Sequence, residues 1–351
     1  MRKISICLLL IIVACAFINP AKAQDPTTNA AAYINAINTA ETGMNRSYMS
    51  YISAAAHSSR KRKVEKMREQ AVQSILVCQS TILGLSPYNS DNSLRQSSLK
   101  FVDMCYKIFN DDYAHIVNME EIAVESYDEM HAYLLLQEAT NDTLKAANER
   151  MTNAVNSFAG KYGVMLTEGK KTELNEKMEA TSKLAKYRNK IYLLFFKCNW
   201  EDGQLTLACN QKDVPKIEKF REALGKYATE GLAVLDTMKG FENDAALAQA
   251  CKQALTFYKT EAETNVPATT GFFAKEQNFS KLKTAMEAKA ANQRTQQDVD
   301  SYNKAVADMN AGANTFNQLN SDLNNSRNEL MNNWINTEKQ FLDAHTPFYK
   351  G

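Results

Sequence analysis

A seven-residue helical pattern occurs twice in this chain, and it constrains the fold more than any other sequence feature. Residues 63–69 read KVEKMRE, and residues 216–222 read KIEKFRE. In each copy two apolar residues stand three positions apart among charged residues, which is the spacing of one face of an amphipathic helix. The pattern therefore predicts helices in both halves of the chain.

Other landmarks recur at the same offset of 153 residues (216 − 63), or within one residue of it. They come in the same order in both halves: the motif Tyr-x-Asn-x-Ile at 33–37 and 187–191, Tyr88 and Phe241, and Asp91 and Asp244. We infer an internal duplication. Each copy is expected to contain three or four helices, which pack antiparallel when short loops join them.

The second copy is expected to be the longer one. Residues 328–336 match residues 148–156 at an offset of 180 (328 − 148), which implies an insertion near 260–289. Within it, residues 266–273 (VPATTGFF) have the composition of a loop. The predicted organisation is a signal peptide at 1–23, helical repeat 1 at 24–168, and helical repeat 2 at 169–351.

Composition favours an all-α fold. The chain of 351 residues has only 12 Gly and 6 Pro, too few for the tight turns of an all-β protein. Apolar residues close to heptad spacing over 295–344 indicate a long helix that packs along a partner helix. We therefore predict an internally duplicated antiparallel helical bundle with long helices.

The chain begins with the pattern of an export signal. A short positive region precedes an apolar run over 4–17, and residues 21–23 (AKA) form a small-x-small cleavage site before Gln24. Cleavage there would leave no transmembrane helix. The alternative is lipidation of Cys15, which would anchor the protein to a membrane.

The charge pattern argues against a nucleic-acid partner. The formal net charge is +1, whereas binding to a nucleic-acid backbone needs a concentrated positive field. The only dense basic cluster is Arg60, Lys61, Arg62 and Lys63, and the second copy has no such cluster at residues 213–216 (DVPK). We interpret the cluster either as a solvated helix start or as a contact surface for a phosphate-bearing lipid or an acidic envelope polymer.

Two adjacent aromatic residues, Phe272 and Phe273, fall in the predicted loop. Neighbouring residues cannot both lie on one narrow helical stripe. We therefore interpret the pair as a cap on the bundle or as a second candidate contact surface.

The cysteine spacing predicts one disulfide. Five cysteines follow the signal, so at least one is unpaired within the chain. Cys198 and Cys209 bracket a turn signal at Asp202 and Gly203, and a bridge across that turn is predicted. The alternative is that all five are small buried hydrophobic residues.

No catalytic or cofactor motif is present. The sequence lacks HExxH, GxSxG, a P-loop, GxGxxG and CxxC. Asp112 with His115, and Asp128 with His131, share helical faces, but a di-metal bundle site needs Glu-x-x-His pairs and further Glu residues. We predict a non-enzymatic binding or structural module without catalytic residues, metal or cofactor. A metal- or small-molecule-binding bundle, including an enzymatic one, is the alternative.

The export signal, the Tyr-x-Asn-x-Ile and Lys-x-Glu-Lys-x-Arg-Glu elements and the paired helical halves resemble a group of uncharacterised secreted or surface helical proteins of Gram-negative bacteria. The resemblance covers most of the chain after the signal, and its motifs are architectural. It implies an all-helical fold and a location in the periplasm or at the cell surface. It assigns no catalytic residues. The partner expected there is an envelope protein or polymer.

Overall fold

The computed structural model describes residues 29–58, 60–112, 126–166 and 172–349. Nine α-helices lie within these ranges: α1 Ala30–His57, α2 Lys61–Leu83, α3 Ser93–Lys107, α4 Tyr127–Lys161, α5 Glu173–Asn210, α6 Val214–Thr237, α7 Ala246–Thr260, α8 Val266–Glu287 and α9 Gln296–His345. The prediction of an all-α fold is confirmed. Long helices are present, since α5 has 38 residues and α9 has 50. The predicted signal peptide, with Cys15, lies outside the described residues.

The chain forms two compact units. Unit 1 contains the residues up to Asn189 and those from Leu342 onwards, and unit 2 contains Lys190–Phe341. The predicted repeat bounds, 24–168 and 169–351, stay a prediction.

In unit 1, α1 packs on α2, α2 packs on α3, and α3 packs on α4. The apolar residues of α1 recur every three or four positions, so they share one face of the helix and are buried together. They include Ile34, Ile37, Met44, Met49 and Ile52. Burial of each such side chain stabilises the fold by roughly 1.5–3 kcal/mol, so this stripe holds α1 in place more than helix propensity does.

Asp91 fixes the loop between α2 and α3. Its backbone exchanges hydrogen bonds of 3.1 and 2.8 Å with Tyr88. Its carboxylate accepts hydrogen bonds from Lys161 Nζ (2.7 Å), the Tyr162 hydroxyl (3.1 Å) and the Ser93 amide (2.8 Å). The bond from Lys161 is the main reason why the pKa of Asp91 is well below its usual range. One carboxylate thus ties the start of α3 to the end of α4.

Unit 2 has the same local landmarks at the predicted spacing. The turn at 241–244 has the same backbone bridge as the turn at 88–91, an offset of 153 residues (241 − 88). π-Helical turns begin at Ile108 and at Glu261, which is again 153 residues apart (261 − 108). The first residues of α6 and α7 follow those of α2 and α3 by 153 residues (214 − 61 and 246 − 93). These shared bounds support the internal duplication, which stays a prediction.

Close packing in unit 2 depends on a glycine and a stacked aromatic pair. Gly231 lies where α6 meets α7, and a Cβ atom at this position would collide with Cδ2 of Leu255. The Trp334 ring of α9 stacks on Phe195 of α5, with ring centroids 4.1 Å apart and an interplanar angle of 9°. The first contact joins α6 to α7, and the second joins α5 to α9.

The loop predicted at 266–273 is wrong, because these residues form the first two turns of α8. Pro267 is the second residue of α8, which follows directly on the π-helical turn Glu261–Asn265. The Thr269 hydroxyl donates to the carbonyl of Asn265 (3.1 Å) and remains compatible with the helix. A composition typical of loops is therefore compatible with helix at this position.

The predicted disulfide between Cys198 and Cys209 is contradicted by the structure. Both residues lie in the uninterrupted helix α5, and both are free thiols. Eleven residues of helix span about 16 Å, whereas bridged cysteines need Cα atoms within about 7 Å. The turn signal at Asp202 and Gly203 fails because Asp202 is buried inside the unit. Burial also raises the pKa of Cys198 to about 12, which disfavours the reactive thiolate.

A carboxyl group lies in the core of unit 1. Glu41 of α1 is buried and accepts one hydrogen bond, from the hydroxyl of Ser98 in α3 (2.6 Å). Burial raises the pKa of Glu41 from 4.5 to about 7, and the Ser98 bond opposes this rise only in part. The unit therefore contains a group that is protonated in the folded state at mildly acidic pH.

We predict that Glu41→Gln stabilises the protein above pH 7. A folded-state pKa raised from 4.5 to about 7 means that the contribution of Glu41 is fully present below pH 4.5. That contribution is lost as the pH rises through 7, and the free energy of unfolding falls by about 3 kcal/mol. The free energy of unfolding from urea denaturation should therefore favour the variant at about pH 8, and the difference should shrink towards pH 4.5.

Glu69→Gln, at an exposed position of α2, is the matched control for Glu41→Gln and should show no such pH dependence. A difference between wild type and Glu41→Gln that stays constant with pH would contradict the account of Glu41.

Candidate functional site

The residues that follow α9 lie against α1 and α5, and we call residues 346–349 the C-terminal strap. The Tyr349 amide donates to Oγ of Ser53 in α1 (3.0 Å). From α5, Nζ of Lys177 donates to the carbonyl of Phe348 (3.0 Å) and lies 5.5 Å from the centroid of the Tyr349 ring. The strap is thus held in place by two helices of unit 1.

His57, the last residue of α1, also contacts the strap. Its Nδ1 lies 2.7 Å from Oδ1 of Asp343, and its Nε2 lies 3.1 Å from the carbonyl oxygen of Thr346. Both partners offer oxygen acceptors to the two ring nitrogens. The Phe348 ring lies 5.3 Å from the imidazole ring. His57 therefore joins the end of α9 and the strap to the end of α1.

A pocket of about 560 Å³ opens between the strap and the junction of α1 with α2, and we call it the strap pocket. It is lined by Ser50, Ser53, Ala54, His57, Ser58, Arg60, Lys63, Met67, Phe348 and Tyr349. Its wall therefore combines basic groups, hydroxyl groups and two aromatic rings.

The basic side of the pocket is the start of α2. Arg60 is the N-cap residue, and its amide donates to Oγ of Ser58 (3.2 Å). The Arg60, Arg62 and Lys63 side chains are exposed, and none of them forms an ion pair with an acidic residue in the described ranges. The helix dipole adds partial positive charge at this end of α2. The arrangement is suited to binding an anion.

The structure brings together part of the predicted basic contact surface. Arg60 and Lys63 line the strap pocket, and Arg62 is exposed on the same first turn of α2. The side chain of Lys61 lies outside what the structure describes.

The second predicted contact pair belongs to unit 2 and lies in a helix. The Phe272 ring stacks on Phe316 of α9 with centroids 4.5 Å apart, and the Phe273 ring lies 5.5 Å from the same ring. Phe273 is only 6% exposed. Both aromatic side chains therefore contact α9 through the same residue, Phe316. A role of the pair in partner contact stays a prediction.

The histidine pairs considered in the sequence gain no metal-binding partners where the structure describes them. Asp128 is exposed, and His131 stacks on Tyr127 with ring centroids 5.8 Å apart. His115 lies outside the described residues. Among the described residues, no three His, Cys, Asp or Glu side chains are grouped so as to hold a metal ion.

A buried charged cluster in unit 2 is absent from the sequence-based predictions. Nε of Arg327 lies 3.1 Å from both carboxylate oxygens of Asp202, and Nη2 of Arg327 pairs with Glu261. Burial, with the nearby Asp202 charge, raises the pKa of Glu261, and the Arg327 guanidinium opposes this rise. At the offset of 154 residues of the Tyr-x-Asn-x-Ile motif (187 − 33), Asp202 corresponds to Tyr48, and at the offset of 153 residues Glu261 corresponds to Ile108. Both residues are buried, so unit 1 has uncharged side chains where unit 2 has Asp202 and Glu261.

One sequence signal could have indicated this cluster. Arg327 stands four residues after Leu323 and seven before Trp334, both of which are buried. It therefore occupies a core position in the heptad pattern, where a charged residue implies a buried partner. Nothing in the local sequence identifies that partner as Asp202.

Within the described ranges, every helix is too short or too polar to cross a membrane. No protein-family model, no curated protein sequence and no solved structure matches this chain. The case for a function therefore depends on the geometry of the strap pocket and on the sequence.

We predict that His57→Phe loosens the strap while leaving the helices intact. The variant keeps an aromatic ring beside Phe348 and loses both ring nitrogens. Loss of the contacts with Asp343 and Thr346 should accelerate hydrogen exchange at the Tyr349 amide by roughly tenfold. The measurement is amide exchange under native conditions. His131→Phe makes the same chemical change in α4 and should leave that amide unaffected. An unchanged rate in His57→Phe would contradict a role of His57 in holding the strap.

Proposed function

We propose that this chain is an exported, non-enzymatic helical binding module of a Gram-negative cell envelope, and that it recognises an anionic component through the strap pocket. The observation that carries the proposal is the placement of Arg60 and Lys63 on the pocket wall without an acidic partner in the described residues. An anion bound there would neutralise cations that otherwise repel one another.

The neighbouring contacts support this proposal because they fix the site before a ligand arrives. Ser58 accepts the Arg60 amide (3.2 Å), which holds the start of α2 at the mouth of the pocket. The bond from the Tyr349 amide to Ser53 (3.0 Å) joins two further residues of the pocket wall. A site whose walls are already ordered loses less conformational entropy on binding.

The proposal of export is based on the apolar run at 4–17 and the cleavage motif at 21–23. The resemblance to secreted and surface helical proteins points to the same compartment. An acidic polymer or a phosphate-bearing lipid is an available partner in an envelope.

We predict that the mature protein begins at Gln24. Intact-mass and peptide mass spectrometry on protein recovered from the envelope fraction should find this N-terminus. An acylated Cys15 at the N-terminus would contradict cleavage before Gln24 and would show that the protein is anchored by a lipid. A chain that retains Met1 and stays in the cytoplasm would contradict export.

We predict that the wild-type protein binds inorganic polyphosphate and that Arg60→Gln/Lys63→Gln weakens this binding by roughly tenfold or more, since each such cation contributes about 1 kcal/mol near an anionic surface. Titration calorimetry at low and high salt measures the polyphosphate affinity of both proteins. Added salt should weaken binding by the wild type. Lys100→Gln/Arg150→Gln removes the same charge from exposed positions of α3 and α4 and should bind like wild type. Equal losses in both double variants would contradict a specific site.

A further inference from the structure

An exposed aromatic side chain lies at the edge of the strap pocket. Phe348 is a pocket residue and is 58% exposed, although it belongs to a segment held by hydrogen bonds on both sides. Covering this ring with an apolar layer would remove apolar area from water, which is favourable.

The cationic side chains beside Phe348 indicate that its partner surface carries negative charge. Arg60 and Lys63 share the pocket with it, and Arg62 adds a third exposed cation on the same turn of α2. Cations next to an exposed aromatic residue are typical of proteins that lie on anionic membranes. The cations attract the phosphate groups, and the ring enters the boundary between headgroups and acyl chains.

The backbone contacts hold Phe348 in place before any binding. Its carbonyl accepts a hydrogen bond from Lys177 (3.0 Å), and the next amide donates to Ser53 (3.0 Å). The ring also lies against His57, with centroids 5.3 Å apart. The ring is thus part of a rigid edge and needs little ordering when it is inserted.

We propose that unit 1 binds the surface of an anionic phospholipid bilayer, with a lipid phosphate in the strap pocket and the Phe348 ring in the interface. This inference rests on the proposed anion-binding function and names its ligand. A purely polar polyanion would use the same cations but would gain nothing from the Phe348 ring, so this residue distinguishes the two ligands.

The test compares the binding of vesicles with the binding of inorganic polyphosphate. It uses the mature chain from Gln24, so that neither the apolar run at 4–17 nor an acyl group on Cys15 can contribute to membrane binding. Vesicles of phosphatidylcholine with phosphatidylglycerol should bind the protein in sedimentation assays, and vesicles of phosphatidylcholine alone should not. Phe348→Ser should reduce partitioning to the anionic vesicles by about tenfold while changing polyphosphate binding less than about twofold.

Two further variants control for folding and for general loss of apolar surface. Leu135→Ser removes a side chain in α4 that is 50% exposed and should leave vesicle binding unchanged. Phe348→Trp should retain vesicle binding and show a blue shift of its fluorescence on anionic vesicles, because indole favours the interface.

The outcomes separate this inference from the proposed function. Polyphosphate binding without vesicle binding would overturn the lipid inference and leave the anion-binding function standing. Binding of neither ligand would overturn both. Vesicle binding that Phe348→Ser does not reduce would overturn the insertion of the ring.

Discussion

His57 lies between two acceptors, the carboxylate of Asp343 and the carbonyl oxygen of Thr346, and the strap pocket depends on this contact. The imidazole ring joins the last residue of α1 to the end of α9. The contacts of the strap with Ser53 and Lys177 add to this junction. A hydrogen bond contributes about 0.5–1.5 kcal/mol, which matters for the order of a terminal segment of a few residues.

The two units give their buried carboxyl groups different partners. Unit 1 buries Glu41 with one hydroxyl partner, Ser98, whereas unit 2 buries Asp202 and Glu261 around Arg327. Such groups seldom add stability relative to apolar residues, but removal of one partner is costly because the other stays buried. Each unit therefore favours one register of its helices. If the units arose by duplication, these clusters record how their cores diverged.

Much of the fold was predictable from the sequence, because helices have local signals. Apolar spacing predicts them, and Asp213 with Pro215 predicts the start of α6, where the structure places a capping bond and an N-terminal proline. The loop predicted at 266–273 is wrong because composition was considered without position in the helix. The strap pocket was predictable only from its basic residues. His57 and Asp343 are 286 residues apart, and no local pattern links them.

We propose that the end of the chain and the start of α2 form one anion-binding site. Titration of the isotope-labelled protein with inorganic polyphosphate, followed by backbone amide chemical shifts, tests this proposal. The largest shifts should occur together at residues 60–64 and 346–349, with one shared binding curve. Shifts confined to unit 2, or shifts at residues 60–64 that leave the strap unaffected, would contradict it.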